Sequence, residues 1–229
     1  MANYNIGQQH NLLKGYNMLL YFAGTMIMYE PAEECIVDFW RDGILKKLPV
    51  SSSNPLFMKA ASQLRESCND KSSTTDAMSK DYIRLFSSEI MPLAPVHESL
   101  YNKSPSESGI SGIQEVSEFY DSYGWRPKFR PEKKDDHLGV ELLFLTKLVE
   151  KYIMLDDEAC SREMRYEIKR FIGQHLLSWI PEWYNKVQEN SLTLGYKGIS
   201  ALILAVSEDI HSIVSGVTDN SFQPGYFKN

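Results

Sequence analysis

The chain has 229 residues, 43% of them apolar and 24% charged, enough for one large or two small domains with a sizeable core. Its formal net charge of −6 and pI near 5.4 argue against nucleic acid as a partner, which needs a clustered basic surface, and are compatible with a basic peptide. Cys35, Cys68 and Cys160 are far apart and make no CxxC or zinc spacing, which fits reduced thiols rather than a disulfide framework.

Helical periodicity starts early. "NMLLYFAGTMIMY" (17–29) has the composition of a signal-peptide core, but Leu12, Leu13, Tyr16, Leu20, Ala23 and Ile27 recur every three or four residues. That is the stripe of an amphipathic helix over about 8–29, whereas a signal core is apolar all round. The expectation is a first core helix, no membrane insertion and a cytoplasmic chain. "PAEECIVDFWRDG" (31–43) reads as the second helix, with Pro31 suiting its first turn and Gly43 its end. "LPVSSSNP" (48–55) is a connector, and a short third helix covers 56–68. "NDKSSTTD" (69–76) is turn-rich, with Asp76 the expected N-cap of a helix over 77–89.

The stretch 90–111, containing "MPLAPVHES" and "NKSPSESGISG", is too rich in Pro, Ser and Gly for regular structure. Irregular runs of that length inside a compact domain are often functional. "GIQEVSEFYDSYG" (112–124) is helical again and stops at Gly124. Pro127 and Pro131 make "WRPKFRPEKKDD" (125–136) a loop. Leu138, Leu142, Leu145, Val149 and Tyr152 mark a helix from His137 to about Leu155, and Met164, Ile168, Phe171, Ile172 and Leu176 mark one over 158–178. Pro181 restarts a short helix carrying Trp183 and Val187, and a last long helix covers 192–216. With no strand alternation and no repeats, the fold class is all-α, a single helical domain over 1–217 with about eight helices and a loose tail at 218–229.

Chemistry concentrates where the 125–136 loop meets the next helix. Asp135, Asp136 and His137 stand together, and Glu141 lies one turn beyond His137 on the same helix side. A His-x-x-x-Glu pair with an adjacent aspartate is one metal-ligating or acid–base pattern, although the duplicated motif of di-metal bundles is missing. An aspartate before a first turn is equally a helix cap. His97, Glu98 and Ser99 adjoin one another but lack a nucleophile elbow. His175 lies in an apolar stripe, as a core histidine does. "GISG" (109–112) has neither the preceding strand nor the following lysine of a phosphate loop. Aromatics around the irregular middle, Tyr82, Phe86, Tyr101, Phe119, Tyr120 and Trp125, belong to the core or to a peptide groove.

Four segments carry a family resemblance. "DYIRLF" (81–86) resembles the Trp/Tyr-x-x-Leu-Phe motif of the TorD/DmsD redox-enzyme maturation chaperones. "PLAPVHESLY" (92–101) is similar to their proline-containing segment. "DDHLGVEL" (135–142) resembles their Asp-His-(Ile/Leu)-Gly-x-Glu-Leu signature, and "FIGQHLLSWIPEW" (171–183) their Phe-x-x-x-His-Leu-x-x-Trp-x-Pro block. Order and spacing match as well, over about residues 10–215. The resemblance departs at Lys134-Asp135, where the family often has Pro-Glu, and at Pro95-Val96, where it has a second proline or an aromatic.

The resemblance implies a cytoplasmic all-helical chaperone, not an enzyme. It would bind the twin-arginine signal peptide and the mature part of a molybdenum oxidoreductase until the cofactor is inserted. The implied peptide-binding residues are Tyr82, Leu85 and Phe86 as apolar wall, Pro95 in the loop, and Asp136 and His137 at the helix mouth. Asp135, Glu141, Tyr101 and Trp125 are secondary candidates. Carboxylates there would meet guanidinium groups, and His137 would tune the contact with pH. No cofactor or metal is required, and transient contact with molybdopterin guanine dinucleotide or guanine nucleotide is the family's further implication. Members occur as monomers and domain-swapped dimers. Two other readings are a NarJ-like assembly chaperone for a non-exported molybdoenzyme subunit and, from another class, a helical metalloenzyme using His137 and Glu141.

Overall fold

Capping chemistry fixes where the helices begin. The computed structural model describes residues 6–41, 43–69, 74–88, 90–102, 112–127 and 134–216. Among these run α1 (Ile6–Met28), α2 (Glu33–Ile36), α3 (Pro55–Ser67), α4 (Thr75–Tyr82), α5 (Gly112–Ser122), α6 (Leu138–Ile153), α7 (Glu158–Phe171), α8 (Ile180–Asn190) and α9 (Leu194–Ser215), with no β-strand. The all-α class is therefore as the periodicity indicated. Asn54 accepts from Leu56 N at 2.9 Å and places Pro55 at the first position of α3, where its missing N–H is harmless. Asp157 accepts from Cys160 N at 2.8 Å to start α7. Gly216 closes α9 at φ +69°, a conformation open to glycine. The expected tail at 218–229 lies outside the described residues.

Two boundaries differ instructively. The cap of α4 is Thr74, which accepts from Ala77 N at 3.2 Å, and not Asp76. Asp76 instead sits inside the first turn, where its charge suits the helix dipole, and pairs with Lys80 at 2.7 Å. Three expected helices also loosen into π turns, at Val37–Arg41, Ile83–Ser87 and Ile172–Leu176. The second of these has a visible use. The returning loop donates Leu93 N to Arg84 O (3.1 Å) and Ala94 N to Leu85 O (2.8 Å), so carbonyls of the π turn bond the loop. In the 90–111 stretch the described part holds a 3₁₀ turn at Glu98–Leu100.

One apolar core runs through the molecule. Its centre is α9, against which α1, α3, α7 and α8 pack, while α6 lies between α1 and α7. Close approach depends on glycine at two crossings. A Cβ on Gly198 of α9 would stand 2.7 Å from Leu64 Cγ of α3, and one on Gly139 of α6 would stand 3.0 Å from Gly24 O of α1. Helix α9 is long and apolar enough to cross a membrane, but 67% of its apolar window is buried inside the protein. It is a core helix, buried almost all round.

Candidate functional site

The start of α6 is built on a strand-like contact with the 90–102 loop. Leu138 N donates to Val96 O at 2.8 Å and Glu98 N donates to Asp136 O at 3.0 Å, forming an isolated antiparallel bridge between His97 and His137. This brings His97, Glu98 and Ser99 onto the Asp135–His137 trio.

Asp136 is fully buried and saturated. His97 Nδ1 lies 3.0 Å from Oδ1, while Ser99 Oγ donates to Oδ2 at 2.6 Å and Ser99 N does so at 3.3 Å. Beside an ionised carboxylate the Nδ1 of His97 must carry the proton. Burial alone would raise the pKa of Asp136, but the hydrogen bonds from His97 and Ser99, with the charge of His97, outweigh it and hold the carboxyl below its ordinary range.

His137, not Asp136, caps α6: its Nδ1 accepts from Gly139 N at 3.0 Å. The cap reading of Asp136 is therefore corrected by one position. The physical reason is that the Asp136 carboxylate turns away from the helix to satisfy His97 and Ser99. It also leaves Asp136 no lone exposed edge for an incoming guanidinium. Asp135 is engaged too, accepting from Arg126 Nη1 at 3.1 Å and from Ser117, while its carbonyl takes the Tyr120 hydroxyl at 2.9 Å.

Beneath lies a second acid–histidine pair, buried on both sides. Glu98 Oε2 is 3.1 Å from His175 Nδ1, in the π turn that ends α7, and Glu98 Oε1 accepts from Asn102 Nδ2 at 2.9 Å. His175 is a core histidine as its stripe indicated, 4% exposed and packed on Phe171 and Phe119. Glu141 is fully buried, and among the described residues neither of its oxygens meets a well-formed hydrogen-bond partner. Burial first, then the charges of Glu98 and Asp136, push its pKa well above the usual carboxylate range and favour the neutral acid. It faces no solvent from which to meet an arginine, and His137 spends Nδ1 on the cap. Among the described residues no three His, Cys, Asp or Glu side chains are placed to hold a metal ion.

Tyr82, Leu85 and Phe86 are core, 6%, 0% and 7% exposed, and so form no open groove wall. The Tyr82 hydroxyl donates to Met28 O at 3.2 Å, and Phe86 packs against Tyr82, Trp183 and Tyr196. Aromatic burial of that size outweighs leaving them exposed for a ligand. Pro95 is half-buried, and its carbonyl accepts the Tyr101 hydroxyl at 2.8 Å. Tyr101 leans on Trp179, with Lys186 Nζ 4.4 Å from its ring centre. Half-buried Trp125 packs on Tyr120 and Phe144.

Sequence reasoning missed the roles of His97, Glu98 and Ser99 as partners of Asp136 and His175, although it quoted all three. It also passed over Asp81, 1% exposed, which accepts from Leu192 N (3.0 Å), Thr193 N (2.9 Å) and the Ser191 and Thr193 hydroxyls (2.8 Å each) and so anchors the turn into α9. The only sequence signal for either was membership of the quoted motifs.

The family model described as nitrate reductase delta subunit matches residues 54–185, more than half of the chain. No curated protein matches it. The matched span contains all four motif segments, and in the fold they are tied together: the 92–101 loop to the π turn after α4, to Asp136, and through Glu98 to His175. The chain belongs to the nitrate reductase delta subunit family, the NarJ/TorD-type chaperones of molybdoenzyme assembly.

Proposed function

We propose that this protein is a cytoplasmic chaperone of the TorD/DmsD kind, which binds the twin-arginine leader of a molybdenum oxidoreductase and retains that enzyme while its cofactor is inserted. The observation that carries this is the joining of the four motif segments: two acid–histidine pairs, His97–Asp136 and His175–Glu98, tie the 92–101 loop to 135–142 and 171–183, and backbone bonds from Leu93 and Ala94 tie it to 81–86. Both carboxylates are buried and bonded to neighbouring chain segments, His175 is buried with Glu98, and His97 keeps about a third of its side chain at the surface. They suit a rigid scaffold that presents a surface, and they carry no nucleophile. Leader recognition then needs apolar surface and unspent carboxylates, which an acidic protein of net charge −6 has in supply.

The test is calorimetric titration of the full chain with a synthetic twin-arginine leader and with its twin-lysine counterpart. Saturable binding, weaker for lysine, supports the reading, because guanidinium pairs bidentately with carboxylate and ammonium does not. Binding only to the mature catalytic subunit would replace it with the NarJ-like role, and binding to neither would overturn it.

A further inference from the structure

A groove of about 700 Å³ lies at the edge of the core, bounded by α1, α6 and the segment from α2 into its π turn. Its lining is mainly apolar: Phe22, Met26 and Phe39, with Met18 and Tyr21 standing at the edge, 65% and 59% exposed. Phe22 and Met26, 8% and 1% exposed, form the floor, while Met18 and Tyr21 are large apolar side chains left in water, and the unbranched Met18 thioether adapts to varied apolar partners.

The two ends of the groove differ in charge. Helices α1 and α6 run antiparallel, since Gly24 meets Leu142 and Gly139 while Asn17 Nδ2 donates to Thr146 O at 3.1 Å. Lys14 and Glu150, both lining residues, therefore share one end, where Glu150 is also paired with Lys147 at 2.8 Å. At the other end Cys35 Sγ lies 3.4 Å from Met26 Sδ, and the α2 segment brings exposed Glu34 and Asp38 beside Cys35 and Phe39. Asp38 is near enough that, after burial, its charge is what raises the Cys35 pKa. One end is thus mixed, and acids flank the rim of the other without lining it. From Lys14 to Met26 the wall is twelve helical steps, about 18 Å, the length of a three-turn helix of roughly a dozen residues.

We infer that this groove is the seat of the client leader: an apolar segment of about three helical turns lies along α1, with its basic residues at the Glu34–Asp38 end. The inference rests on the leader-binding reading and gives it a place. Charge complementarity sets the direction, because a leader is basic first and apolar after. It also explains how a chain whose Asp135 and Asp136 are engaged elsewhere can still receive arginines. The groove draws mostly on residues 14–39, outside the span 54–185 that the family model matches.

Two measurements on the full chain test it. In the first, Met18→Gln with Tyr21→Ser, and separately Glu34→Gln with Asp38→Asn, are titrated with the synthetic twin-arginine leader after thermal melting shows the fold intact. Each pair is expected to bind roughly tenfold or more weakly, as loss of an apolar anchor or of complementary charge does. In the second, alkylation of the unmodified protein is mapped by mass spectrometry with and without leader. Cys35 should be protected and exposed Cys160 unaffected. Leader binding to the parent protein with unchanged affinity in both variant pairs and no protection of Cys35 would overturn the location while leaving the chaperone reading intact. Absence of leader binding to the parent protein would overturn both.

Discussion

His97 and Asp136 stand 39 residues apart in the chain, yet Nδ1 of one lies 3.0 Å from Oδ1 of the other, and the carboxylate is fully buried. This pair, with Ser99, fastens an irregular loop to the first turn of α6. Removing the acceptor leaves half-buried donors unmet. Asp136→Ala is therefore expected to lower unfolding free energy by about 3 kcal/mol in urea denaturation, the scale for breaking a buried charge-assisted pair.

The same residue sets an acid limb. Its folded pKa lies below the ordinary value, so its stabilisation is complete above the unfolded pKa, about 3.9, and is lost as pH falls through the folded value. The stability gap between parent and Asp136→Asn should be constant near neutrality and shrink below about pH 4, measured as urea midpoints across pH.

Glu141 acts in the opposite sense. A buried carboxyl with a raised pKa lets the unfolded chain ionise first, so stability falls as pH rises above about 4.3 towards the folded value. Glu141→Gln keeps the shape and removes that titration. Melting curves should show the variant gaining on the parent between pH 5 and pH 7, with a gain of about zero near pH 4.

Helix α6 sits against α1 because position 139 has no side chain. A Cβ there would meet Gly24 O at 3.0 Å and Met28 Cβ at 3.1 Å. Alanine gains about 1 kcal/mol of helix propensity over glycine, but overpacking against backbone costs typically 1–3 kcal/mol. Gly139→Ala is expected to be destabilised on balance, by about 1 kcal/mol in chemical denaturation.

At the exposed start of α4, Thr74→Ala should cost about 1 kcal/mol and Asp76→Ala only a few tenths, since the first is a cap and the second a surface pair. Equal losses would return the cap to Asp76.

Much of the fold was legible because burial follows a 3.6-residue stripe. Leu138, Leu142, Leu145, Val149 and Tyr152, read as one face of a helix, are all buried on α6. The π turns were not, because one extra residue per turn hardly alters that stripe and is selected by tertiary contacts such as Ala94 N on Leu85 O. His175 was legible as a core residue from its apolar neighbours, but its partner Glu98 lies 77 residues away in a loop without periodicity. Asp136 was misread for a related reason. An acid before a first turn is the local signal for a cap, and only the fold shows His97 and Ser99 arriving to claim it while His137 takes the helix end. The groove on α1 escaped notice because Met18 and Tyr21 lie off the buried stripe, in positions that in a surface helix are simply exposed.

The central claim, that the motif residues form a closed scaffold and the client leader lies on α1, is tested most directly by hydrogen–deuterium exchange of the full chain with and without a twin-arginine leader peptide. Slowed exchange over residues 14–41, with 92–101 and 135–142 unchanged, is the expected result. Slowed exchange confined to 92–101 and 135–142, with none over α1, would contradict it.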